Sequence, residues 1–401
     1  MSAQPAPLLE LRGISRRFTQ RPDAAQRLAA VFGARAPDAV VRAVDDVSLA
    51  VREREVVGLV GESGCGKSTL GRMVARILEP TAGERYWRGR PYRELDTAEH
   101  RAERLAVQMI FQDPYASLNP RMRIADIVGE APVVHGLVTR AEREGYVAAV
   151  LERVGLDAGS MRRFPHQFSG GQRSRIGIAR ALAVRPRFLV CDEAVAALDV
   201  SVQAQVLNLM GELQQRLRLS YLFISHNLAV VHHIADRVSV MYLGRIVESA
   251  DTPALFAAAR HPYSQMLLDA IPDLRAAGMD AARAGAGGPG APASNGAANT
   301  ATGVAADVSG NVSADVSGNA IAAAGEVPDP LAPPPGCGFH PRCAYANARC
   351  RRETPRLTRL EGNHDVACHA VEEQRIAART NLPPIARLAS ISRQGASGIP
   401  L

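Results

Sequence analysis

The run GESGCGKST, residues 61–69, constrains this chain more than any other stretch. A mostly apolar segment, VVGLV at 56–60, enters it and a series of good helix formers, residues 70–78, leaves it, so it reads as strand, glycine-rich loop, helix. That is the setting a phosphate-binding loop requires. Gly61, Gly64 and Gly66 let the backbone curl until successive N–H groups point inward, at the positive end of the following helix dipole. Lys67 then reaches the β- and γ-phosphates of a nucleotide and the Ser68 hydroxyl sits on Mg²⁺, with Glu62, Ser63, Cys65 and Thr69 completing the cradle.

Composition allows one large domain or two ordinary ones: 401 residues, 47% of them hydrophobic, can bury a core. No run approaches the roughly eighteen consecutive apolar residues of a membrane span. The start, MSAQPAPLLE, lacks a basic segment followed by an apolar core, so neither a span nor a signal peptide is expected and residence is expected to be cytoplasmic. The net charge of +7 comes from arginines spread along the chain, too diffuse for a nucleic-acid surface, and a single Trp argues against a base-stacking platform.

Residues 8–11 and 41–51 roughly alternate apolar and polar side chains, as strands of a half-exposed antiparallel sheet do, with a basic, Ala-rich connection between them. Phe18 follows the first and offers a flat face to an adenine, or simply packs. Past the loop and its helix, residues 106–111 (AVQMIF) form a short buried strand, stopped by Pro114, that leaves Gln112 at its carboxyl end. Open α/β sheets place ligand-contacting groups at that edge. Residues 122–165 turn helical in pattern, with apolar side chains three and four apart.

This helical insertion leads into Phe168, Ser169, Gly170, Gly171 and Gln172, followed by RSRIGIARALA. Ser169 is a natural N-cap and the glycines bare backbone N–H groups, making a second anion-binding helix start in the same chain. Next, RFLVC at 187–191 reads as a buried strand with Asp192 and Glu193 at its end, one carboxylate to order Mg²⁺ and one to polarise an attacking water. Asp199, an amphipathic helix over 202–217, a strand over 221–224, Ser225 and His226 follow, then a closing hairpin over 237–248 around Gly244.

With GESGCGKST, Gln112, FSGGQ, FLVCDE, ALD and His226 in that order, the chain resembles the ATP-binding subunit of an ABC transporter over residues 8–260. QDPYASLNPRM, SGGQRSRIGIARAL, LDVSVQAQVLNLM and RHPYSQMLLDAIP narrow the resemblance to the oligopeptide/dipeptide importer branch. It implies a P-loop NTPase cassette: a RecA-like α/β core, an antiparallel β subdomain and a helical signature subdomain at about 115–180, all within 1–260. It also implies a second ATPase subunit, identical or different, two membrane-spanning permeases and a periplasmic solute-binding protein. The chain itself would sit peripherally on the cytoplasmic face of the inner membrane. Two ATPase subunits would close head to tail over two ATP molecules. Each ATP would lie on Lys67, Ser68 and Asp192 of one subunit, while Ser169, Gly170, Gly171 and Gln172 of the other reach its γ-phosphate. By the same carry-over Glu193 is the general base, Gln112 senses Mg²⁺ and γ-phosphate, His226 stabilises the transferring phosphoryl group and Asp199 links the two sites.

The chain departs from that pattern twice, with Ala194 where the family usually has Pro and Ala196 where it has Ser, so one composite site is expected to turn over slowly. The alternative is a soluble ABC-type ATPase acting on nucleic acid or ribosomes, but those generally carry two cassettes or a long coiled-coil insertion, and this chain has neither. The transported solute is left open by the sequence, with peptides as the default.

Residues 261–282 continue the importer-type pattern, and 283–335 collapse to Ala, Gly, Ser, Asn and Pro with ADVSGN repeated, a flexible linker. A Cys-rich module at 336–372 and a tail at 373–401 follow. The module resembles the importer branch's C-terminal extension and gathers Cys337, Cys343, Cys350 and Cys368. No CxxC pair supports a zinc ribbon and a cytoplasmic setting disfavours disulfides. A [4Fe-4S] cluster on the four thiolates, offset by Arg342, Arg349, Arg351 and Arg352, a Zn²⁺ ion with His364 or His369, or no metal are the readings this leaves.

Overall fold

The computed structural model describes residues 6–19, 40–196, 198–271, 328–329 and 331–376. The basic connection, most of the linker and most of the tail expected from the sequence lie outside the described residues.

Strands β1 (Leu9–Thr19), β2 (Val40–Val51), β4 (Ala82–Trp87) and β5 (Arg90–Pro91) form an antiparallel sheet in the order β2-β1-β4-β5. The second sheet runs β11-β12-β10-β9-β3-β8-β7-β6, from β3 (Val56–Val60), β6 (Val107–Ile110), β7 (Phe188–Asp192), β8 (Ser220–Ile224), β9 (Arg237–Tyr242), β10 (Arg245–Asp251), β11 (Thr358–Arg359) and β12 (Asp365–Val366). Its heart, β9-β3-β8-β7-β6, is parallel. Strands β3, β7 and β8 are buried at every position, as their near-continuous apolar sequences require of strands covered on both faces. Because side chains alternate across a sheet, Val57, Leu59, Phe188, Val190, Leu222 and Ile224 join one apolar cluster, while Val56, Val60, Leu189, Cys191, Tyr221 and Phe223 join the other.

The first cluster is shared with β1 and β2 and with α1 (Lys67–Val74). Helix α2 (Thr97–Ala106), opened by an Asp96–Glu99 capping box, leads into β6. The expected helical insertion is present as α3 (Pro114–Ser117), α4 (Ile124–Val134) and α5 (Arg143–Arg153), packed against α6 (Gly170–Leu182) through Ile124, Val128, Val147, Leu151 and Ile176. Helix α7 (Val200–Leu217) crosses to β8, α8 (Leu228–Ile234) leads to β9, and α9 (Thr252–Ala258) and α10 (Pro262–Asp269) close the second cluster. Leu243 and Gly244, both at positive φ (42° and 80°), turn β9 into β10 as a two-residue hairpin loop demands.

The Cys-rich stretch extends this framework directly. β12 pairs antiparallel with β10, and Phe339 joins the larger apolar cluster with Cys337 and Cys343 packed against it. A short helix α11 (His369–Glu372) is the last element among the described residues.

Candidate active site

Four sequence motifs converge at the carboxyl ends of β3, β6, β7 and β8. Gly66 stands at φ 106°, where a Cβ would fall 2.0 Å from the Ala43 carbonyl oxygen, so only glycine lets the loop pass beneath β2. Lys67 is buried, and its Nζ donates to the carbonyls of Gly61 and Glu62, both at 2.8 Å. Burial pushes the Cys65 thiol up while the Lys67 ammonium pulls it down; it packs as a small buried group.

Ser68 Oγ donates to Asp192 Oδ1 at 2.8 Å, joining the start of α1 to the end of β7. Burial raises the Asp192 carboxyl pKa, and the Ser68 hydrogen bond with the nearby Arg72 and Lys67 charges oppose that. Together these two side chains present hard oxygen donors of the kind Mg²⁺ takes. Glu193 follows at φ 45°, a left-handed conformation held by its N–H donating to the Ile224 carbonyl at 3.0 Å. Gln112 Nε2 donates to Glu193 Oε2 at 2.7 Å, and His226 Nδ1 lies 3.2 Å from Glu193 Oε1. The His226 side chain is half exposed, whereas that of Glu193 is only 12% exposed.

A cleft of about 1590 Å³ opens over this edge, lined by Ser63 to Thr69, Gln112 and Glu193 from one side and by Arg17, Val41 and Asp45 from another. Phe18 is not among its lining residues; it lies at the end of β1 with the Arg16 guanidinium 4.8 Å from its ring centre. Ser169 to Gln172 lie apart from the cleft lining, at the start of α6. There Gln172 N donates to Ser169 Oγ at 3.3 Å and Ser169 N to Gln172 Oε1 at 3.1 Å, a reciprocal capping box. A Cβ on Gly171 would meet Val202 Cγ1 at 2.4 Å, so the glycine lets α6 and α7 approach, and Asp199 is the N-cap of α7.

Several contacts at this edge escaped the sequence reading. Tyr263 accepts a hydrogen bond from Glu62 N at 2.8 Å, and Arg342 Nη1 donates to both Glu62 carboxylate oxygens at 3.1 and 3.0 Å. Tyr242, Tyr263, His261 and Phe339 pack around one another beside them at tilted and edge-on ring angles. Burial drives the His261 pKa down to about 4, and the neutral ring accepts the Tyr263 N–H at Nδ1. Glu248, fully buried, accepts from Arg260 N, His261 N and His364. Only aromatic spacing in RHPYSQ and GCGFHPR could have flagged this cluster.

The four C-terminal cysteines are free thiols. Burial pushes Cys337 to about 12 and Cys368 to about 11, with neighbouring thiols adding to both. Among the described residues no group of three or more His, Cys, Asp or Glu side chains is arranged to hold a metal ion. His364 Nε2 is bonded to Glu248 at 2.6 Å, and the His369 ring is shared between Glu372 and the Glu353 carbonyl.

A parallel-sheet phosphate loop, a paired Ser68–Asp192 and a Glu193 held by Gln112 and His226 define an ATP-binding cassette. The family described as ABC transporter matches residues 44–196, and that described as oligopeptide/dipeptide transporter, C-terminal region, matches 247–294 and 313–350. The chain is 41% identical to the oligopeptide transport ATP-binding protein AppF of Bacillus subtilis strain 168, covering 90% of this chain and 97% of that protein. It is 42% identical to the dipeptide transport ATP-binding protein DppF of Haemophilus influenzae, covering 83% and 90%. The fold matches the dimeric post-hydrolysis structure of the ATP-binding cassette MJ0796 bound to ADP and Pi, with a TM-score of 0.52, 23% identity and coverage of 61% of this chain and 98% of that one. The chain belongs to the ABC transporter ATP-binding proteins of the oligopeptide/dipeptide branch, a family of ATPases.

Proposed function

We propose that the protein hydrolyses ATP at a head-to-tail interface with a second ATPase subunit and so drives uptake of peptides through two partner permeases fed by a periplasmic binding protein. The observation that carries this reading is the Gln112–Glu193–His226 group at the rim of the cleft lined by the phosphate loop. Lys67 and the loop N–H groups bind the β- and γ-phosphates, neutralising charge there. Ser68, with Asp192 and Gln112, would hold Mg²⁺, which when bound would supply further neutralisation of the polyphosphate. Glu193 accepts the proton of the attacking water, and Gln112 orients that carboxylate through its amide. His226 stabilises charge on the transferring group. Ser169, Gly170, Gly171 and Gln172 of each subunit cap the γ-phosphate bound by the other, and Asp199 links the two sites; the placement of α6 away from the cleft lining supports this sharing. Gamma-phosphate contacts then make ATP favour the closed dimer, and hydrolysis resets it.

Among the described residues no helix is long and apolar enough to cross a membrane. In this reading the chain sits peripherally on the cytoplasmic face, attached through the permeases. The relatives are named for oligopeptide and dipeptide transport, which favours peptides over nucleic acid or ribosomes as the object of the work. For the four thiols, an iron–sulfur cluster is the reading carried forward; a zinc ion on the same four thiolates would need neither His364 nor His369, whose rings bond Glu248 and the Glu353 carbonyl. Any cluster would have to displace protons from thiols as weakly acidic as Cys337 and Cys368. Iron and sulfide analysis after anaerobic purification tests that reading. The transport reading is tested by reconstituting the protein with its permeases in vesicles: peptide-loaded binding protein should stimulate ATP hydrolysis, and peptide entry independent of ATP would refute it.

A further inference from the structure

Glu62 is the second residue of the phosphate loop, and it is held from two directions by chain that lies far away in sequence. Its N–H donates to the buried Tyr263 hydroxyl at 2.8 Å. Its carboxylate accepts two hydrogen bonds from Arg342 Nη1 at 3.1 and 3.0 Å, across 280 residues of sequence. Its carbonyl, with that of Gly61, receives the Lys67 ammonium. The Arg342 side chain is 9% exposed and that of Glu62 24%, so the pair is only weakly screened by solvent.

Arg342 is itself fixed from within the Cys-rich module. It follows Phe339, which is buried against Tyr242, Tyr263 and His261, and its guanidinium lies 5.8 Å from the Phe339 ring centre and 6.0 Å from that of Tyr242. The backbone beside it is tied by Cys337 N donating to the Cys350 carbonyl at 2.8 Å. Gly336 to Phe339 and Thr354 to Leu357 line the same cleft as Lys67 and Ser68.

A carboxylate on a loop that must receive a polyanion is a liability. Left unpaired, it repels the phosphates and is free to draw on the Lys67 ammonium. We propose that the Cys-rich module acts in cis on nucleotide binding: Arg342 is a positioning residue that neutralises Glu62, holds it clear of Lys67 and thereby sets the affinity of the phosphate loop for Mg-ATP. The inference rests on residues 61–69 being the triphosphate cradle, and it gives the C-terminal module a role at that cradle.

The test uses the full-length chain and a fluorescent Mg-ATP analogue, titrated into R342Q, E62Q, the double variant, R342K and K67A. R342Q should weaken binding about tenfold, while the same change in the E62Q background should cost less than about twofold, because no carboxylate remains to be neutralised. R342K, which keeps the charge, should recover most of the loss and also covers the case of R342Q failing to fold. In the assembled transporter the R342Q change should raise KM for ATP with kcat kept, a split that general loss of structure does not produce. Binding by R342Q within twofold of the parent, an equal loss in both backgrounds, or R342K as weak as R342Q overturns the proposal. If K67A binds like the parent, the cradle reading itself falls; if K67A is defective while R342Q is not, only the role of Arg342 falls.

Discussion

Gln112 Nε2 donates to Glu193 Oε2 at 2.7 Å, tying the end of β6 to the residue after β7 and leaving the other carboxylate oxygen 3.2 Å from His226 Nδ1. One amide thus aims a carboxylate whose backbone is already held at φ 45°. E193Q is expected to lower ATP hydrolysis by about 10²–10³-fold while Mg-ATP still binds, since proton acceptance is lost and the phosphate cradle is untouched. Single-turnover hydrolysis set beside nucleotide titration separates the two; hydrolysis near the parent rate would remove Glu193 from the mechanism.

Ser68 and Asp192 share a hydrogen bond at 2.8 Å, and in the proposed mechanism the pair would hold Mg²⁺ together. D192N should raise the Mg²⁺ concentration needed for half-maximal hydrolysis by about 10–100-fold, the usual scale for losing a group that supports a metal ligand. A magnesium titration at saturating ATP is the measurement.

Gly66 and Gly64 both stand at positive φ, 106° and 79°, but a Cβ at Gly66 would strike the Ala43 carbonyl at 2.0 Å while one at Gly64 meets open space. G64A therefore carries only the left-handed backbone cost of about 1–2 kcal/mol, and G66A is expected to cost several kcal/mol because β2 must also shift. Urea unfolding of the pair tests the difference. Equal midpoints would contradict the close approach of loop and strand.

His261 is buried and neutral, with a pKa near 4 against an ordinary value of 6.5. Between those values the unfolded chain takes up a proton that the folded chain refuses, so stability from this site is full above about 6.5 and is lost as pH falls toward 4. The loss is of order 3 kcal/mol at most. In H261N, whose side-chain oxygen can still accept the Tyr263 N–H, the fall in melting temperature between pH 7 and 5 should be shallower than in the parent. Parallel curves would show that the ring does not titrate in this window.

Ala194 is buried directly after Glu193, and Ala196 N donates back to the Glu193 carbonyl at 3.0 Å, so both positions belong to the turn that carries the base. Introducing A194P with A196S should stiffen that turn, add a hydroxyl beside it and raise ATPase turnover of the assembled transporter several-fold. An unchanged rate would mean that the two alanines do not limit the site.

The chemistry-bearing motifs were legible in the chain because each is local. Strand, loop and helix around residues 61–69, the acidic pair after FLVC and the capped helix at Ser169 follow from spacing and burial patterns within about a dozen residues. The alternation that predicts β1 and β2, and the fully apolar runs of β3, β7 and β8, are equally local, and the structure agrees with them. Two groups have surroundings that local spacing does not encode. Phe18 lies at the end of β1 with the Arg16 guanidinium over its ring, outside the cleft lining. His364 and His369 sit near cysteines in sequence, but a buried Glu248 and a backbone carbonyl have engaged their rings.

Residue order alone therefore determined the phosphate loop, the acidic pair after FLVC and the apolar strands that present them, since periodicity and glycine placement act over a single turn or strand. Only the tertiary structure decided that Glu62 is clamped by Tyr263 and Arg342, that β12 extends the sheet from β10, and that Phe339 completes a core begun at Val56. All of these but the Tyr263 contact join segments separated by a low-complexity stretch. They form because buried aromatic surface and a poorly screened ion pair find partners in space, a choice that no nearest-neighbour pattern encodes.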